Sequence, residues 1–313
     1  MSADEIARVI ADLRGGRQRR LLLAEPSNPA LQSQADEIAA LSGPTVDATA
    51  IYDSLVARDD PVAVYEDHPC IAPPWDSATI CYVNEHENVI AMTLCAGTLE
   101  DGYRDMSRTD VIADLNTGRQ RGSQPEPWEP AEPVDWDRVR WLITALVWVG
   151  GRSHGRHCPT GGPAHLWKFA VYDDGTPADL HWVHIVPDYP MERWDMAHLV
   201  LLGALNFCNC RNVELIEPRR SRAEARRIAR TGVQVHTINV FPSGKSARAA
   251  KAEGAMGTPL TSVRGHFSCY GPDYGRGLLF GKYAGRFWIP QHARGDAAVG
   301  ESKADYVLRS EAS

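Results

Sequence analysis

The features missing from this 313-residue chain narrow the reading first. No apolar run approaches the ~20 residues that cross a bilayer as a helix, so no membrane partner is expected. The opening MSADEIARVIADLRGG reads as an amphipathic helix with early acids. It is neither a secretory signal nor an Arg- and Ser-rich transit peptide, and a cytoplasmic protein is the expectation. The seven cysteines are an odd number without framework spacing, which argues for free thiols rather than a disulfide scaffold. The sequence has no H-E-x-x-H and no G-x-G-x-x-G after a strand, so the common zincin and dinucleotide sites are not indicated. FPSGKS at 241–246 resembles the end of a phosphate loop. Asn239 stands where the first glycine is required, which excludes ATP binding on that pattern. No catalytic residue and no cofactor are assigned, and the chain is read as a non-enzyme. Acids are plentiful without a spacing that selects a pair, so a metal-dependent nuclease is the alternative. His154, His157 and Cys158, with His165 or another residue as a fourth ligand, are the first metal-ligand candidates; their spacing fits no standard zinc finger, and no metal is assigned.

The formal net charge of −7 conceals an asymmetry. Residues 211–295 hold 15 Lys and Arg against 5 Asp and Glu; the rest of the chain holds 18 against 35. An anionic partner is therefore expected at the C-terminal third alone. Two stretches carry the signal. Residues 218–230 read as a helix opened by Pro218, with Arg219, Arg222, Arg226 and Arg230 along one side at steps of three and four. Arg220 and Arg227 widen that stripe, and Ile228 marks its inner face. Arginine suits bidentate phosphate contacts. Residues 263–295 interleave Arg264, Arg276, Lys282, Arg286 and Arg294 with seven aromatic rings and seven glycines. Cations beside flat rings suit phosphates and bases, although alternation along a buried strand produces the same text. Trp288 is read as core, with Arg286 and Arg294 as the phosphate contacts beside it. The candidate nucleic-acid contacts are Arg219, Arg222, Arg226, Arg227, Arg230, Arg264, Lys282, Arg286 and Arg294.

The pattern mixes strands and helices without regular βαβ alternation, which indicates α+β with a largely antiparallel sheet and a helical N-terminal segment. Helices are expected at 3–13, 31–41, 46–56, 103–115, 136–149, 195–207 and 218–230. Strands are expected at 62–65, 78–83, 89–95, 166–172, 182–186, 213–216 and 233–241, with further short strands through Trp288. The acid- and Pro-rich stretch 121–134 reads as a linker or long loop between an α+β region at 1–120 and an α+β domain at 135–300. The tail, 301–313, reads as polar, and the chain after Asp296 as frayed.

One resemblance rests on particular residues. FCNCRNVEL at 207–215, the basic helix, the strand after it, Val263-Arg264-Gly265-His266-Phe267, and then Gly281-Lys282, Gly285-Arg286-Phe287-Trp288-Ile289-Pro290, His292 and Arg294-Gly295 occur in that order. This order resembles a broad group of phage and mobile-element proteins similar to the type V-A anti-CRISPR family, which lowers production of a Cas12-type nuclease. The likeness covers roughly residues 206–295. It implies a phage-encoded accessory or inhibitor protein acting in the bacterial cytoplasm. Combined with the charge asymmetry, it makes RNA or a translating complex the expected partner. A host defence protein bound without nucleic acid is a further alternative.

Overall fold

The computed structural model describes residues 3–14, 37–57, 69–99, 107, 109–110, 112–113, 134–151, 163–184, 194–217, 220–240, 259–263, 265–279, 281–289, 292–294 and 296–302. In chain order the elements are α1 (Ala3–Arg14), β1 (Thr45–Asp47), α2 (Thr49–Val56), β2 (Ser77–Val83), β3 (Asn88–Thr98), β4 (Val139–Gly151), β5 (Pro163–Tyr172) and β6 (Pro177–His184). They continue with α3 (Trp194–Cys208), β7 (Val213–Ile216), α4 (Arg222–Thr231), β8 (Val235–Val240), β9 (Pro259–Val263), β10 (His266–Tyr270), β11 (Gly285–Ile289), β12 (His292–Arg294) and β13 (Asp296–Ser302). The fold is α+β, as the pattern indicated. An eight-stranded sheet runs β6-β5-β4-β3-β2-β1-β8-β7. Only β1 pairs in parallel, with β2 on one side and β8 on the other. Every other ladder in this sheet is antiparallel. The β10–β11 hairpin and the three-stranded β12-β9-β13 unit complete the chain.

Both faces of the large sheet are apolar, and helices cover both. On one face Ile80, Tyr82, Met92, Leu94, Ile143, Ala145 and Val147 meet α2 and α3 through Leu55, Val200 and Leu201. On the other, Cys81, Val89, Ala91, Leu146 and Trp148 meet α1 and α4 through Ile6, Ile10 and Ile228. Successive side chains of β2, β3 and β4 thus alternate between two cores. This corrects the expected helix at 136–149: its main part is β4, thirteen residues at the heart of the sheet. A strand buried on both faces is apolar at every position, so its period of two disappears and a helical period fits by accident. The β-branched content of Val139, Ile143, Thr144, Val147 and Val149 was the signal for a strand.

Smaller differences have local causes. The expected helix 46–56 begins with β1; Asp47 Oδ1 then accepts from Thr49 N at 3.0 Å and Thr49 Oγ1 at 2.6 Å, turning the strand into α2. The basic helix starts not at Pro218 but after Ser221. Ser221 Oγ accepts from Glu224 N at 3.2 Å and the Glu224 carboxylate accepts from Ser221 N at 3.0 Å, a reciprocal cap. Gly232, at φ 67°, closes it. Residues 296–302, expected to be frayed, form β13 and pair in parallel with β9. Strands from both sides of 121–134 share the large sheet, with β3 and β4 paired from Asn88↔Gly151 to Thr98↔Trp141. The expected strand at 62–65, most of the helices at 31–41 and 103–115, and the stretch 121–133 lie outside the described residues.

His198 on α3 gives the fold a pH signature. It is buried, with its ring centroid 5.5 Å from Trp167 and 6.0 Å from Phe169. Burial lowers its pKa from 6.5 to about 4, because the cation would lose its solvation there. The unfolded chain binds this proton near pH 6.5 and the folded chain does not. The stability contributed is therefore whole above pH 6.5 and is lost as pH falls through about 4. The loss amounts to roughly 3 kcal/mol. Urea unfolding across this window should show that fall in the parent protein and a flatter profile for His198→Leu.

Candidate nucleic-acid interface

The basic helix α4 is amphipathic by composition and is docked accordingly. Ile228 is buried in the cluster that holds Ile6 and Ile10 of α1. Arg222, Arg226, Arg227 and Arg230 are exposed. The single acid of the helix, Glu224, forms the N-terminal cap, and the helix carries four arginines against that one carboxylate. Arg222, Arg226 and Arg230 form no ion pair with a described residue. Arg227 does: its Nε lies 2.9 Å from Asp4 Oδ2 of α1. Arg220 falls before the helix and donates to the Val235 carbonyl, a structural contact. Arginines at i and i+4 repel one another by a few tenths of a kcal/mol. The helix tolerates this through its cap and its buried face, and it leaves three guanidinium groups turned to solvent.

The interleaved segment resolves differently. Phe267, Phe287 and Cys269 of the β10–β11 hairpin are buried. The Trp288 ring, expected in the core, is half-buried and packs against it, 4.7 Å from Phe207 and 4.8 Å from Phe267. Asn212 holds the Trp288 backbone on both sides, donating to its carbonyl at 2.8 Å and accepting from its N–H at 3.0 Å. Gly265 is required beneath this ring, since a Cβ there would lie 2.6 Å from Trp288 Cζ2. Arg286, expected to hold a phosphate, is only 7% exposed. One of its terminal nitrogens donates to Asn206 Oδ1 at 2.7 Å, and its guanidinium lies 4.7 Å over the Phe267 ring. The same Asn206 oxygen accepts from Cys70 N at 2.8 Å. Arg286 therefore ties the hairpin to α3 and to residue 70, and is removed from any surface path. Lys282 is exposed. Arg219 and Arg264 lie outside the described residues, as does the side chain of Arg294 on β12.

The two expected halves of the interface also separate in space. α4 covers the sheet face shared with α1, whereas the hairpin packs on α3 across the other face. Two of the seven rings of this segment still reach the surface, at the hairpin tip. Tyr274 and Tyr283 are each 51% exposed and Leu278 is 43% exposed. Backbone hydrogen bonds and one buried side chain shape the tip. Leu279 is buried beneath it, and Leu279 and Tyr283 exchange backbone hydrogen bonds of 2.8 and 3.0 Å. Gly271, Gly275, Gly281 and Gly285 take positive φ at its turns. Arg276 donates to Ser268 Oγ at 2.8 Å.

The six described cysteines are free thiols. Burial raises the pKa of Cys208 and Cys210 to about 12, the environment of inert rather than nucleophilic sulfur. Among the described residues no group of three or more His, Cys, Asp or Glu is arranged to hold a metal ion; His154, His157 and Cys158 lie outside them. No described helix is long and apolar enough to cross a membrane. Comparison with protein-family models, with curated proteins and with solved structures finds no match to this chain.

Proposed function

We propose that this is a non-enzymatic accessory protein of the phage type that interferes with a bacterial host process by engaging RNA, alone or in a translating complex, through α4. The observation that carries the reading is the exposed Arg222–Arg226–Arg230 stripe, which forms no ion pair with a described residue, on a helix with a single acid, Glu224. Such a stripe offers several bidentate contacts to a chain of phosphates. The likeness of residues 206–295 to phage and mobile-element proteins supports the biological setting. Incubating the purified protein with labelled RNA, with Mg²⁺ and with EDTA, tests the reading. Retention of intact RNA in both conditions is expected. Cleavage abolished by EDTA would replace it with the nuclease alternative.

A second reading, inhibition by binding a host defence protein, is favoured by a separate observation. The hairpin tip displays Tyr274, Leu278 and Tyr283 on a hydrogen-bonded scaffold. Preorganised aromatic anchors of this kind are typical of protein interfaces. Absence of RNA binding by the parent protein, with retention of one host protein from nuclease-treated lysate, would move this reading to the front.

A further inference from the structure

The contact between α4 and α1 extends the proposed interface onto a second helix. Asp4 lies in the first turn of α1, and its side chain is only 8% exposed. A buried carboxylate is costly unless it is paired. The positive N-terminal end of α1 supplies part of the compensation, and two arginines contribute to it. Arg227 of α4 places Nε 2.9 Å from Asp4 Oδ2. Arg8, one turn along α1, places a terminal nitrogen 3.7 Å from the same oxygen and donates its Nε to the Asp4 backbone carbonyl at 3.3 Å. Both guanidinium groups remain open to solvent, Arg8 at 58% and Arg227 at 52% side-chain exposure, while the carboxylate between them is sealed. The trio therefore presents two half-exposed cations and one hidden anion. Because both arginines converge on one oxygen, their nitrogens lie no further apart than those two contacts laid end to end. Arg227 is adjacent in sequence to Arg226 and three residues from Arg230, so the pair continues the α4 stripe toward α1.

We infer that Arg8 and Arg227, held side by side by the buried Asp4, form a two-helix guanidinium pair that binds one phosphate of the polyanion, with Asp4 as the positioning residue. The inference rests on the proposed role of α4 and adds α1 to the binding surface. Nothing in the charge text marked Arg8, because the N-terminal region is acidic overall; the docking of α1 on α4 brings it there.

The test uses the full-length protein and a labelled single-stranded uridine homopolymer across a salt series. Arg8→Ala should lower affinity several-fold and flatten the dependence of log K on log salt by about 0.7, the share of one single-strand phosphate contact. Asp4→Asn adds a positive charge to the protein, so simple charge counting predicts tighter binding. The positioning role predicts weaker binding, because the two guanidinium groups then repel and separate. Circular dichroism and a thermal melt confirm that α1 remains folded in each variant. Should Asp4→Asn unfold α1, Arg8→Ala alone decides, since that exposed side chain is not needed to fill the core. Parent-like affinity and slope for Arg8→Ala, alongside weakened binding by an Arg222→Ala/Arg226→Ala variant, would overturn this inference and leave the role of α4 standing. Tighter binding by folded Asp4→Asn would overturn the positioning role. Failure of the parent protein to bind the RNA at all would overturn the α4 reading itself and this inference with it.

Discussion

Trp148→Ala is expected to cost about 3–5 kcal/mol of stability, the range for emptying a large aromatic from a packed core. Trp148 is 1% exposed on β4 and shares its cluster with Leu146, Leu166, Ile6 and Ile10. Its ring thus fills the layer between the sheet and α1, and no small movement closes the space. Total stability of an ordinary domain is about 5–15 kcal/mol, so the variant should unfold at a much lower urea concentration. Were Trp148 at the surface instead, its loss would cost about 0.5 kcal/mol. A loss that small would contradict the place of β4 at the centre of the sheet.

Arg286→Ala is expected to destabilise the protein by about 2–4 kcal/mol, through loss of the charged hydrogen bond to Asn206, the weaker one to Cys269 Sγ and the cation–π contact with Phe267 in a buried site. The guanidinium joins three chain segments: the hairpin through β11, α3 through Asn206, and residue 70 through the Asn206 oxygen shared with Cys70 N. Its field also reaches the thiols of Cys70 and Cys210, where burial is the dominant influence and raises both pKa values. RNA affinity and its salt dependence should be unchanged in the folded variant. Had Arg286 been a phosphate contact, the salt slope would flatten by about 0.7 with little change in stability. Thermal melting and a salt titration on the same preparation distinguish the two outcomes.

The sequence was most informative where one face of an element is wet. α1 and α4 each have a polar side, so their apolar residues stand out at helical spacing, and the inward position of Ile228 was legible. The β2–β3 hairpin was legible from two apolar runs around Asn84–Asn88, and the β5–β6 pair from the turn Asp173-Asp174-Gly175. β4 was not legible because both of its faces are covered. β1 was missed because three residues carry no period, and its parallel neighbours, β2 and β8, are distant in sequence. The same limit applies to Arg286. Alternating cations and rings along a strand describe an open polyanion track and a buried polar hub equally well. Only the placement of Asn206 and Phe267 decides between them. The Asp4–Arg227 contact joins residues more than two hundred positions apart and has no local signature.

Salt-dependent binding of single-stranded RNA by the parent protein and by the Arg222→Ala/Arg226→Ala/Arg230→Ala variant tests the central claim most directly. The three side chains are exposed and pair with no described acid, so the variant should fold and melt like the parent. If they hold phosphates, removing them returns counterions to as many as three sites and flattens the log–log slope by about 2. Weaker binding with that flatter slope is the predicted result. A folded triple variant with the affinity and the slope of the parent would contradict the account.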